Sequence, residues 1–456
     1  MTKCTTSTTS FPRCKGRQVS ASFDGGEITS DGGALLLRQL GREWGLTRTI
    51  ARRPSPVARR PSPVARRRDD TRASRRCQHR AETMLRQRAF GLALGYEDLN
   101  DHHALRRDIA LQTAVDTDSV LASQSTLCRF EQQASRQWAV AIQEEIVEQF
   151  IRSFRRPPKK RLILDFDATD DPVHGEQLGR HFSGFYDGYC FLPLYVFCGQ
   201  QLLVSYLRPV YRDAAYHAGA ILALLVRRLR QAWPEVKVVF RGDSGFCRPM
   251  ILNWCERHGV EYIVGLATNS RLEKLSLDIR YESAIRWEAE RTKQRHFGRI
   301  HYAAHSWKRP RRKVVVKAET SHRGFNTRYV VTNLHGSPQW LYDHRYCPRG
   351  DMENRIKEQQ WLFSDRTSWH DWWPNQYRLL LAGLAYRLLE RLLERLRRVY
   401  LKRTAYATAQ VTTLRLKLLK IGGVVIRNTR RVRLMLSSHY PDQDLFLKLV
   451  KKLVPG

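Results

Sequence analysis

The chain has 456 residues, 42% of them hydrophobic and 10% aromatic, which is enough apolar material for packed cores and excludes a wholly disordered basic polypeptide. Lys plus Arg number 79 against 44 Asp plus Glu, and the formal net charge of +35 calls for a polyanionic partner, nucleic acid ahead of an anionic membrane surface. No apolar run approaches the ~20 residues of a membrane span, the N-terminal segment lacks the apolar core of a secretory signal, and the nine cysteines include no CxxC pair. A soluble cytoplasmic protein with reduced thiols is expected, of roughly three domains.

In chain order, the first expected elements are helical. Ser30 or Asp31 is placed to cap a helix with Leu35, Leu36 and Leu40 on its apolar face. A second short helix after Gly45 would give a helix–glycine–helix pattern compatible with a DNA-binding helix-turn-helix. Ala51–Arg67 contains two copies of ARRPSPV and part of a third; with four prolines and no apolar face it reads as an extended, solvated linker. Met84, Leu85, Ala89 and Leu92 recur at helical spacing, with Arg86 and Arg88 off that face, and a further helix is expected from Thr126 to Phe154 with Ser125 as its cap. Arg155-Arg156-Pro157-Pro158-Lys159-Lys160 then breaks the pattern. Residues 1–156 are therefore expected to form a mainly helical DNA-binding region with an Arg/Pro linker at 51–68.

Beyond the break the periodicity becomes that of strands. Arg161–Phe166, Tyr189–Phe197 and Leu202–Leu207 are apolar runs, the last two joined by a hairpin turn at Gly199-Gln200. A helix from Ala214 to Ala232 follows, then strand Val236–Phe240, helix Pro249–His258 and strand Tyr262–Leu266. The pattern predicts an α/β fold with a mixed sheet and flanking helices over 161–269. Residues 270–338 read as an inserted β subdomain with strands at His301–Trp307, Lys313–Lys317 and Arg328–Leu334. Helices resume over 339–400, where Leu388, Leu392 and Leu396 share one face and Arg387, Arg391, Arg395 and Arg398 form a solvated one. Residues 401–456 form a basic C-terminal region.

Three acidic segments carry the chemistry. In LDFDATDDPVHG, Asp165 and Asp167 alternate with Phe166 and so share a strand face, where two carboxylates repel unless a cation or proton is shared. Asp170 and Asp171 follow closely, which favours a metal role over a capped turn. In VVFRGDSGF an apolar strand delivers Asp243 to its carboxyl end, where open α/β sheets place ligands; an ordinary helix cap is the alternative. In YCPRGDMENRIKEQQ, Tyr346, Arg349, Glu353 and Lys357 follow near-helical spacing, although Glu353 and Lys357 alone would make a surface ion pair.

The order Asp, Asp, Glu, with Tyr-x-x-Arg-x-x-x-Glu around the last acid, resembles the DDE transposases with an RNase H-like fold. The stretches TSDGGALLL, LALGYEDLNDHHALRRD, ASQSTLCRFE, LDFDATDDPVHG, FRGDSGF, RYVVTNL and YCPRGDMENRIKEQ are most similar to the 1380 family of bacterial insertion sequences. The resemblance implies an RNase H-like catalytic core over 161–269 and 339–400. It also implies that Asp167, Asp243 and Glu353 are the catalytic and metal-holding acids, with Asp165, Tyr346, Arg349 and Lys357 in supporting or DNA-contacting roles. Two Mg²⁺ ions, with Mn²⁺ as substitute, would sit about 4 Å apart between such carboxylates. The implied partners are double-stranded DNA, as the element's terminal inverted repeats and the target, and further copies of the chain in a synaptic complex at the bacterial nucleoid. Related signatures often carry Lys seven residues after the Glu, where this chain has Gln360, and the ARRPSPV repeat is foreign to them. Two alternatives stand beside this reading. DFDAT also fits the motif of haloacid dehalogenase-type phosphatases, with Asp165 as nucleophile and Asp167 as general acid, and a decayed transposase would bind DNA without cutting it.

Overall fold

The computed structural model describes residues 8–45, 47, 49–50, 79–305, 307, 311–399, 406 and 409–453; the ARRPSPV repeat lies outside them. The chain divides into two compact units, Met1–Gln133 with Leu384–Gly456, and Ala134–Gly383.

Among the described residues, the second unit is built on one nine-stranded sheet. Across it run Gln294–Tyr302, Arg312–Ser321, Arg328–Thr332, Glu261–Leu266, Val238–Gly242, Leu162–Ala168, Leu194–Cys198 and Gln201–Tyr206, with the short Gly324–Phe325 strand paired to Arg312–Ser321. Val238–Gly242 is parallel both to Leu162–Ala168 and to Glu261–Leu266, while Leu194–Cys198 and Gln201–Tyr206 continue antiparallel. In chain order these first five strands lie third, second, first, fourth, fifth. The central strands are nearly all buried, as continuous apolar runs predict for strands covered on both faces. Phe166 packs edge-on against Phe240 and Phe246 at 4.9 and 6.2 Å, and Leu222, Leu225 and Leu229 of the Ala218–Ala232 helix join the same core.

The expected β subdomain is corrected in two ways. Its strands extend the central sheet, because Arg328–Thr332 pairs antiparallel with Glu261–Leu266, which would otherwise be left as an open edge. It also contains helices at Ser270–Leu275 and Leu277–Glu290. The Arg155–Lys160 break falls inside the second unit, since Phe150 of the preceding helix packs in one core with Leu162 and Leu164. That preceding segment is two helices, Gln124–Gln132 and Arg136–Arg152. They are capped by the hydroxyls of Ser123 and Ser135, which accept from the Thr126 and Trp138 backbone N–H at 3.4 and 3.3 Å.

In the first unit the helix Ala34–Trp44 buries Leu36, Leu37 and Leu40, and ends at Gly45 in the left-handed region. Its start has no side-chain cap. Asp31 instead accepts from the Tyr96 hydroxyl at 2.6 Å and pairs with Lys420 at 2.7 Å. Gly32 and Gly33 donate to the Ile421 and Leu419 carbonyls, and a Cβ on Gly33 would lie 1.9 Å from the Leu418 oxygen. The C-terminal residues are thus part of this unit, through these bonds and through strand Gly423–Arg427, which pairs with Ile28–Thr29.

Arg86 and Arg88, off the apolar face of their helix, are buried, and so is Arg387 of the face expected to be solvated. Arg86 pairs with Glu82 and Asp116 at 2.6 and 2.7 Å, and Arg88 with Glu131 at 2.6 Å, because a guanidinium taken out of water needs a carboxylate. Arg387, on the Trp372–Val399 helix, pairs with Glu390 at 3.2 Å and lies over the Trp44 ring at 5.6 Å. Among the described residues no helix is long and apolar enough to cross a membrane.

Candidate active site

Parallel pairing brings the first two acids together. Gly242 is opposite Phe166, so Asp243 leaves the end of its strand beside Asp167. Asp167 is buried, and its Oδ1 accepts from the Ala168 backbone N–H at 2.9 Å. Asp243 caps the following turn by accepting from the Gly245 N–H at 2.8 Å. The cap reading of Asp243 therefore holds, and it fixes the carboxylate at the carboxyl end of a central strand.

The third segment approaches through a change of helical geometry. Leu341–Tyr346 is a π-helical turn, Cys347–Gly350 a 3₁₀ turn, and Asp351–Gln360 an α-helix. Irregular helix of this kind is common where side chains must be re-aimed at a site. It points Arg349 at the acids: its guanidinium is 3.3 Å from Asp167 Oδ2 and 3.8 Å from Glu353 Oε1. The ion pair of Glu353 therefore runs back one turn to Arg349, and Lys357 is exposed. Tyr346 is half-buried and hydrogen-bonds Arg349. Its hydroxyl passes over Gly265, where a Cβ would stand 2.6 Å from that oxygen and 2.9 Å from the Ser244 nitrogen.

The electrostatics reflect this convergence. Burial pushes the Asp167 carboxyl up to about 6; Arg349 opposes the rise, and Asp243 and Glu353 add to it. Burial lowers the Arg349 guanidinium, but Asp167, Tyr346, Asp243 and Glu353 outweigh it and leave it above its ordinary value.

Asp165 occupies a different environment. It is buried against Arg241, its partner across the parallel register, in a two-pronged ion pair whose second bond, Nη2 to Oδ2, is 2.8 Å. Arg241 also donates to the Arg345 carbonyl at 2.6 Å, which ties the first strand to the turn carrying Tyr346 and Arg349. Asp171 is turned away from the acids: it accepts from the Thr367 hydroxyl at 2.9 Å, and burial pushes it up to about 8. Arg241 and Gly265 escaped the sequence reading. Arg241 alternates with Asp243, a signal that was present; Gly265 has no signal before the packing is known.

Among the described residues no three His, Cys, Asp or Glu side chains meet in an ion-holding group. The donor chemistry of Asp167 and Asp243 still fits a hard divalent cation. Asp243 raises the proton affinity of Asp167, and Mg²⁺ takes one or two carboxylates with water and substrate phosphate completing its shell.

Among solved structures, a piggyBac transposase synaptic complex with hairpin DNA matches over 68% of this chain and 65% of its own, at 10% identity and a TM-score of 0.37. No curated protein matches. The family described as transposase DDE domain, group 1, matches residues 11–455, and the chain belongs to that family.

Proposed function

We propose that the protein is a DNA transposase with an RNase H-like core, of the 1380 insertion-sequence type, in which Asp167, Asp243 and Glu353 are the acids of strand cleavage and transfer. The observation that carries this reading is the Arg349 guanidinium, 3.3 Å from Asp167 and 3.8 Å from Glu353, at the strand end where Asp243 emerges beside Asp167. The strand order third, second, first, fourth, fifth supports the core assignment, because it brings the ends of the first and fourth strands together.

DDE transposase domains use divalent metal ions. Asp167 and Asp243, with Glu353, are the groups that would hold Mg²⁺ or Mn²⁺, which supplies an activated oxygen nucleophile and charge stabilisation at the leaving oxygen. The chain's own residues do the rest. Arg349, now balancing Asp167 and Glu353, is positioned to neutralise a phosphate oxygen. Tyr346, resting on Gly265, holds that guanidinium. Asp165 with Arg241 fixes the strand end and the Arg345–Arg349 turn as one piece. Lys357, exposed one turn beyond Glu353, is free to meet a flanking phosphate. The partners are double-stranded element ends and target DNA, with copies of the chain joined in a synaptic complex, and the basic N-terminal region is assigned to end binding.

The dehalogenase-type alternative is disfavoured because both oxygens of its required nucleophile, Asp165, are taken by Arg241. Incubating the protein with its element's end DNA and Mg²⁺, then mapping cut strands, tests the proposal. Metal-dependent cuts at the element boundary are expected; binding without cleavage would leave the decayed, DNA-binding reading.

A further inference from the structure

Between the first two acids the chain makes a small ribbon that leaves several large side chains exposed. His181–Ser183 pairs antiparallel with Gly188–Phe191, which in turn pairs with Asp171–Pro172. Phe182 and Tyr189 are opposite one another, with rings 5.7 Å apart, and are 56% and 51% exposed. Phe185, at the turn, is 87% exposed, and Tyr211 is 57% exposed on the loop beside His181, whose ring is 4.4 Å away. Cations lie over these rings: Arg180 is 4.9 Å from the Tyr189 centroid and Arg212 is 4.8 Å from that of Tyr211.

The ribbon begins four residues after Asp167, and its first strand, Asp171–Pro172, follows directly on the strand that carries that acid. Tyr186, next to Phe185, is half-buried there; burial raises its hydroxyl first, and Asp170, Cys190, Asp167 and Asp243 add to the rise. Within an intact duplex both faces of each paired base are covered by stacking, so these rings reach base faces only where stacking is broken. Phosphates need only the arginines. Exposed rings interleaved with arginines suit nucleotides whose bases are unpaired.

We propose that Phe182, Phe185, Tyr189 and Tyr211, with Arg180 and Arg212, form a stacking platform for unpaired bases of the DNA strand entering the acid site. The proposal rests on the transposase reading above. Phe185 and Phe182 would stack on successive bases, and the two arginines would follow the backbone and enforce the ring geometry.

The test uses the full chain and a fluorescent single-stranded oligo-dT of about 12 nucleotides, a length within one such protein's site size, beside a duplex of equal length. Phe182→Ala with Phe185→Ala should weaken single-strand binding roughly tenfold or more, leave duplex binding unchanged, and be rescued in part by Phe185→Trp in place of the alanine. Both positions are exposed, so a cooperative melt at the wild-type temperature is expected. Unchanged single-strand affinity, or equal loss for both DNAs, overturns the platform. So does a change of oligomeric state with single-strand affinity intact, which would assign the rings to a protein partner. Metal-dependent nicking by the wild type is measured alongside. Nicking with unchanged single-strand affinity in the variant defeats the platform alone, whereas a selective single-strand loss without any nicking defeats the catalytic reading alone.

Discussion

Asp165 and Asp167 stand two residues apart on one strand face; burial raises both carboxyls, but their arginine partners differ. Asp165 is committed to Arg241, and Asp165→Ala leaves a buried guanidinium without its partner. A loss of about 3–5 kcal/mol in unfolding free energy is expected, read from denaturant or thermal melts. Asp167 is a buried carboxyl raised to about 6, so its ionised form works against folding as pH rises from the ordinary carboxylate range through that value. Asp167→Asn should therefore abolish cleavage with no loss of stability at neutral pH. A mutant as unstable as Asp165→Ala would contradict the assignment of roles. Asp171 gives the pH test. Its folded value of about 8 lies above the unfolded carboxyl value, so its contribution to stability is fully present in acid and is lost as pH rises toward 8. Asp171→Asn keeps an acceptor for the Thr367 hydroxyl and removes the titration. It should melt higher than wild type at pH 8.5, by ~1 kcal/mol or more, and the gap should close in acid.

At the scale of elements, the site depends on how closely the Leu341–Gly350 turns lie on the sheet. Gly265→Ala places a methyl group on the Tyr346 hydroxyl and the Ser244 nitrogen. We expect a cost of about 1–3 kcal/mol and a larger fractional loss of cleavage than of DNA binding, measured on the same preparation. The strands that carry Asp167 and Asp243 were legible in the sequence because apolar runs ending in a carboxylate are a local pattern. So was the near-helical spacing of Tyr346, Arg349 and Glu353. What could not be read was set by pairing at long range. The Arg241–Asp165 bond requires the parallel register, and the joining of Gln294–Thr332 to the central sheet requires knowledge of which edge lay open. The Leu277–Glu290 helix left a signal that went unused, since Leu277, Tyr281 and Ile285 recur at helical spacing, although that stripe is exposed rather than packed in a core. Arg387 was read as solvated although Glu390 stands one turn on, because the Trp44 ring beneath it comes from packing that no single stretch reveals.

For the whole molecule, the net charge of +35 coexists with many arginines neutralised in buried pairs, so the charge available to DNA lies on the remaining surface. Binding to duplex DNA should weaken as salt rises, with a log–log slope of roughly −0.9 for each phosphate neutralised; an affinity flat from low to moderate salt would contradict a polyanion partner. The three acids should matter to cutting and not to this binding. Asp243→Ala and Glu353→Ala both act at the edge of the unit, where Glu353 is 62% exposed and its removal disturbs no core. The most direct measurement is the mapping of cut strands on element-end DNA with Mg²⁺ for wild type, Asp243→Ala and Glu353→Ala at matched DNA occupancy. The account predicts cuts at the element boundary by wild type alone. Cleavage by either variant at the wild-type rate would contradict it.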